Sequence, residues 1–200
     1  MRSYGQKGQG AALDSFRWLT VAFSMILGLG VAKLLTNAVG VFTSRTRVRV
    51  DWVPLAWAAS IFVMQLQFWW AIIELSQRAA PWMIGEFLLL LSLPLLLFVA
   101  AALVLPSEES PEDKRLMDWF DRDGRWALPV ISAYYLTAIL ANWVLFNDAP
   151  ASFQDMEEIV LAALPIAYLL TRPRRIRTVI TIVFLFLSLW VSWELSPKSY

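Results

Sequence analysis

Residues 82–105 read WMIGEFLLLLSLPLLLFVAAALVL, an apolar run whose only charge is Glu86. Wound as an α-helix, a run of this length reaches about 36 Å, enough to cross a bilayer core of about 30 Å. Five more segments share its character, at 15–42, 51–75, 126–146, 155–170 and 176–195. The fold class expected is therefore all-α: a polytopic membrane protein, 1–200, made of one transmembrane domain with six spanning helices. The composition agrees. Of 200 residues, 58% are hydrophobic and 16% charged, with mean hydropathy +0.57, whereas a soluble domain has about a quarter of its residues charged. The first apolar segment is longer than a signal-peptide core and reads as a retained helix.

The connections alternate in basic content. Loop one carries Arg45, Arg47 and Arg49; loop three carries Lys114, Arg115, Arg122 and Arg125; loop five carries Arg172, Arg174, Arg175 and Arg177. The termini and the other loops hold only Arg2, Lys7, Arg17, Arg78 and Lys198. Short Lys/Arg-rich loops stay in the cytoplasm. This places both termini outside, in a bacterial-type plasma (inner) membrane. Trp18, Trp69, Trp70, Trp82, Trp143, Trp190 and Trp193 then fall near the outer boundary, and Trp52, Trp119 and Trp126 near the inner one, as amphipathic indoles should. The outer acids are Asp14, Glu74, Glu86, Asp148, Asp155, Glu157, Glu158 and Glu194, a rim that raises the local cation concentration.

Loop three contains Ser110-Pro111-Glu112-Asp113, a helix-start pattern of cap, proline and acids. Leu116, Met117 and Phe120 follow on one face, so a short amphipathic helix lying in the membrane interface is expected. Asp121, Asp123 and Gly124 do not make a calcium loop, because Trp119 and Val130 stand at its first and twelfth positions.

Several chemistries are excluded. The chain has no Cys and no His, which removes thiol nucleophiles, thiolate and imidazole metal ligands and His general bases. No glycine-rich phosphate loop is present. No catalytic residues, metal site or cofactor are expected, and a net charge of +1 gives no field for nucleic acid.

Charged and amide side chains inside a bilayer are expensive, so each is a candidate for function. Glu86, Glu74, Asn142, Gln67 and Tyr135 are the candidates for an ion or solute pathway. Gln67, Trp70 and Glu74 share a helical face; Tyr135 and Asn142 share another. Glu74 and Arg78 are spaced to pair. Ser24, Gly28 and Ala32 recur every four residues, a smooth face for helix packing or subunit contact. Lys33 is placed to snorkel toward the inner surface. Arg45, Arg47, Arg49, Arg172, Arg174, Arg175 and Arg177 are candidates for gripping anionic lipid.

A bundle this small suits one subunit of an oligomeric pore. The function expected is a homo-oligomeric ion channel or small permease for cations. The alternative is a non-catalytic structural or accessory subunit of a larger membrane complex. The partners expected are the lipid bilayer, further copies of the chain and, in the alternative, another membrane protein.

Overall fold

The computed structural model describes residues 3–46, 48–75, 83–107, 115–146 and 153–194, with side chains from residue 20 onward except those of 73–75, 146, 153–155 and 194. Seven α-helices carry the fold: α1 Ser3–Thr43, α2 Trp52–Leu75, α3 Ile84–Leu103, α4 Leu116–Arg122, α5 Ala127–Phe146, α6 Phe153–Leu170 and α7 Arg174–Glu194. Single 3₁₀ turns, Ser44–Thr46 and Gly124–Trp126, follow α1 and α4. No β-strand occurs among the described residues, and one isolated bridge joins Arg49 to Arg115.

Among the described residues, five segments are long and apolar enough to cross a membrane: Thr20–Thr46, Trp52–Ile72, Ile84–Leu103, Gly124–Leu145 and Arg174–Trp193. The expected fifth span, α6, is not among them. Its first six residues include Asp155, Glu157 and Glu158, and these acids dilute its apolar character. The first helix also differs from expectation. It begins at Ser3 rather than near residue 15, so only its later part is apolar enough to lie in lipid. The Ser110-Pro111-Glu112-Asp113 helix start lies outside the described residues.

The long helices close a ring in the order α1, α3, α5, α6, α7, α2, with α2 also touching α3. The turn 171–173 between α6 and α7 is too short for anything but an antiparallel pair. Inward faces are legible as stripes. Phe23, Leu27, Leu34, Asn37 and Val41 are buried along α1, at steps that keep one face of a helix turned to its neighbours. Outward faces are apolar too: Met25, Leu29, Val39, Leu136, Ile182, Phe186 and Trp193 are all exposed. Water does not tolerate such a surface, and lipid does. Trp52 and Trp126 at one end, and Trp69, Trp70, Trp143, Trp190 and Trp193 toward the other, are exposed as well. Trp119 departs from this belt: it is buried.

Loops one, three and five meet at the same end of the bundle. The Leu116 N–H donates to the Arg49 carbonyl at 3.1 Å, Arg174 pairs with Asp51, and Arg177 pairs with Asp121. The expected helix of loop three is present as α4, but its apolar side is turned into the bundle: Leu116, Trp119 and Phe120 are buried. Gly124 seats it. A Cβ there would stand 2.6 Å from Phe120 Cδ2 and 2.7 Å from Trp119 Cζ3, and neither buried ring can swing aside. Gly124→Ala is expected to cost about 1–3 kcal/mol by overpacking. Thermal unfolding in detergent reads this as a lowered Tm; an unchanged Tm would contradict the packing.

The smooth face of α1 is not where helices approach closely. Nothing lies within 4 Å of a Cβ built on Gly28, whereas one built on Gly30 would meet Gln65 Nε2 at 2.5 Å and the Phe98 Cα at 3.5 Å. Gly28 and Ala32 are exposed, and Ser24 is half-buried. The close approach to α2 and α3 falls at Gly30, because the inward stripe of α1 follows the sevenfold repeat rather than the four-residue one.

Candidate ion pathway in the bundle interior

In hydrocarbon every polar group must find a partner within the protein, so the polar residues of α7 are informative. Arg177, Thr181, Phe184, Ser188 and Ser192 recur at steps of three and four, one stripe of an otherwise apolar helix. Thr181, Phe184 and Ser188 are buried. Their hydroxyls are satisfied by the preceding turn: Thr181 Oγ1 donates to the Arg177 carbonyl at 2.9 Å, Ser188 Oγ to Phe184 at 2.9 Å and Ser192 Oγ to Ser188 at 3.0 Å. Gln67 of α2 reaches across, its Nε2 donating to the Ser188 carbonyl at 2.7 Å and to Ser192 Oγ at 2.8 Å.

Tyr134 and Tyr135 of α5 are both buried. The two phenol rings meet edge-on with centroids 5.3 Å apart. Asn142 Nδ2 is 3.5 Å from Glu158 Oε1, a long contact. Of the five expected pathway residues, Gln67 is joined to Ser188 and Asn142 to Glu158, while Tyr135 stands two turns, about 10 Å, before Asn142 on α5. Sequence reasoning had set Glu158 among the rim acids and passed over Ser188; the polar stripe along α7 was the available signal.

Glu86 goes elsewhere. The helix α3 starts at Ile84, so Glu86 lies in its first turn, and Oε2 accepts the Met83 N–H at 3.1 Å. It is a capping carboxylate near the helix dipole's positive end. The side chain of Glu74, and with it the expected pair to Arg78, lies outside the described residues, as does Arg47. Lys33 is half-buried on α1.

Between this polar layer and the basic end stands a packed aromatic layer. The Trp57 ring lies 4.6 Å from Phe184 and 5.7 Å, edge-on, from Tyr168; Phe184 is 6.2 Å from Tyr135, and Phe120 6.1 Å from Tyr168. Trp57 Nε1, Ser132 Oγ, Tyr135 Oη and Tyr168 Oη are buried without a hydrogen-bonding partner in the protein. Each such group costs about 1–3 kcal/mol in a packed interior. Gln65, pressed against Gly30, is likewise buried with both amide atoms unpartnered. Asn37 differs: its Nδ2 donates at 3.1 Å to the Leu105 carbonyl just past the end of α3.

The basic end is closed by two arginines of α7. Arg177 Nη1 meets Asp121 Oδ1 at 2.8 Å, its Nε donates to the Thr171 carbonyl at 2.7 Å, and its guanidinium stands 5.1 Å from the Tyr168 ring. Arg174 Nη2 meets Asp51 Oδ2 at 2.6 Å, while Asp51 Oδ1 accepts the Val53 N–H at the start of α2. Of the arginines expected to grip lipid, these two are engaged within the protein. Arg45, Arg49, Arg172 and Arg175 are exposed.

Chemically, the interior offers a carboxylate, phenols, amides and hydroxyls. Among the described residues no three His, Cys, Asp or Glu converge as a metal site. No protein family matches the chain, and no curated protein and no solved structure resembles it at a significant level.

Proposed function

We propose that the chain is a homo-oligomeric cation channel or small permease of a bacterial-type plasma membrane, with Glu158 as the acid of its pathway. The observation that carries this reading is the setting of Glu158: half-buried, with Oε2 shielded from solvent and Oε1 3.5 Å from Asn142 Nδ2. A carboxylate held there attracts a cation or accepts a proton. The unpartnered Tyr135, Ser132, Trp57 and Tyr168 atoms extend the hydrogen-bonding capacity toward the basic end. Trp57, Phe184 and Tyr168 form the constriction that ions must pass.

In this reading α6 is the sixth crossing. It packs lengthwise between α5 and α7, and its 18 residues rise about 27 Å, near the bilayer thickness. Of its acids, Glu157 and Glu158 are half-buried rather than exposed to lipid. The basic end is cytoplasmic and both termini are outside.

The test is ion flux in liposomes holding only this protein, under potassium, sodium and proton gradients. Wild-type protein is expected to conduct above empty liposomes, and Glu158→Gln to lower the flux at least about tenfold, the scale of one lost charge interaction. Equal flux in wild type and variant would remove Glu158 from the pathway. No flux in well-folded wild-type protein would favour the second reading, an accessory subunit. That reading is supported by the open space above Gly28 on the outward face of α1. It requires one stoichiometric membrane partner that a Gly28→Leu substitution displaces.

A further inference from the structure

Arg49 and Arg115 come from loops far apart in sequence, yet their backbones form a parallel bridge, secured by the Leu116 N–H on the Arg49 carbonyl at 3.1 Å. Bridge partners lie about 5 Å apart and send their side chains to the same side. The bridge therefore sets the backbones of two exposed arginines side by side at this end. Like charges opposed in this way repel. Among the described residues the aspartates of this end are engaged elsewhere: Asp51 by Arg174, Asp121 by Arg177 and Asp123 by Arg122. No ion pair among the described residues involves Arg45, Arg49 or Arg115. Arg45 stands one turn before Arg49, in the 3₁₀ turn that ends α1. The described residues of this end carry nine arginines against four aspartates, of which only Asp118 is exposed beside Arg115 and outside those pairs.

We propose that Arg49 and Arg115, with Arg45 beside them, bind the phosphate of an anionic phospholipid headgroup. A phosphodiester presents several acceptor oxygens, and the planar guanidinium fork matches them two at a time. A single phosphate seated between the two forks converts their repulsion into two attractions. Trp52 and Trp126 are exposed at this same end, and indoles sit at the headgroup boundary. The Arg125 guanidinium stands 5.8 Å from the Trp126 ring, which brings further positive charge to that level. A lipid lying against the exposed apolar sides of the bundle thus carries its phosphate to the paired arginines. The site is independent of the transport reading, because it requires only that the basic end face lipid headgroups.

Native mass spectrometry of the full chain in neutral detergent tests this, with phosphatidylglycerol and phosphatidylcholine as the probes. Wild-type protein should retain phosphatidylglycerol in preference to phosphatidylcholine. Arg49→Gln and Arg115→Gln should each lower the retained lipid about fivefold, the expected contribution of one arginine at an anionic surface, and together roughly 25-fold. Arg172→Gln and Arg175→Gln, at exposed positions of the same end but outside the bridge, should each change it less than either bridge substitution. Arg49→Lys and Arg115→Lys should fall between, since the charge stays and the two-point contact is lost. The fold of each variant is read from its helical circular dichroism and its Tm.

Three results would overturn the proposal. One is equal retention of the two lipids, the outcome if Glu108, Glu109, Glu112 and Asp113 neutralise the arginines. Another is a loss in the Arg172 and Arg175 variants as large as in the paired ones. The third is displacement of the lipid by excess inorganic phosphate that also raises the Tm of lipid-free protein, which would make the site one for free phosphate.

Discussion

Trp57→Ala is expected to destabilise the bundle more than any other single truncation, by about 3–5 kcal/mol. Trp57 has no exposed surface and stands where α2, α6 and α7 meet, against Phe184 and Tyr168. Its removal leaves a cavity lined by aromatic rings that are themselves held on separate helices, so the walls cannot collapse inward. Titration from mild detergent into a denaturing one would read the loss, with Trp57→Phe recovering more than half of it because a ring still fills most of the space. The same change bears on transport. If the aromatic layer is the constriction, the fraction of Trp57→Ala protein that remains folded should conduct faster than wild type. A stability loss below about 1 kcal/mol would contradict the packing role. Slower flux in a folded preparation would move the constriction elsewhere.

The second large effect is expected at Arg177. Its side chain is only 22% exposed, and it holds Asp121, the Thr171 carbonyl and the face of Tyr168 at once. Arg177→Met keeps the stem and removes all three polar contacts. The expected loss is about 2–4 kcal/mol, between the cost of an exposed pair and that of a buried one. Arg174→Met is the comparison. Its side chain is 71% exposed, and its pair with Asp51 is screened by water and salt, so the expected loss is below about 1 kcal/mol. Equal losses in the two variants would show that burial of Arg177 does not decide the interaction. Arg177→Lys should recover little, because a lysine ammonium cannot serve a carboxylate, a carbonyl and a ring from one planar group.

The segments apolar enough to lie in lipid were legible because burial in hydrocarbon needs only a run of apolar residues, a local property. The grouping of loops one, three and five at one end was equally legible, since two long helices lie between each and the next. The fifth segment was the weak point: Asp155, Glu157 and Glu158 make α6 too polar by composition, although its position between α5 and α7 is that of its neighbours. The small residues of α1 left a different question open. Ser24, Gly28 and Ala32 form a smooth face in sequence, but smoothness does not say which way a helix is rotated. Glu86 was singled out because it interrupts an apolar run; the observed start of α3 two residues earlier makes it a cap instead.

What the sequence alone determined is what each segment could dissolve in: which stretches tolerate lipid, which loops share a side, and which chemistries are absent for want of His and Cys. Only the tertiary structure decided what each polar residue does. Gln67 finds Ser188 across 121 positions, Arg177 finds Asp121 across 56, and Arg49 is set beside Arg115 by a backbone bridge. The free energy of a span is a sum over its own residues. A polar contact depends on the rotation, tilt and register of two helices at once, and these are settled only when the whole ring packs.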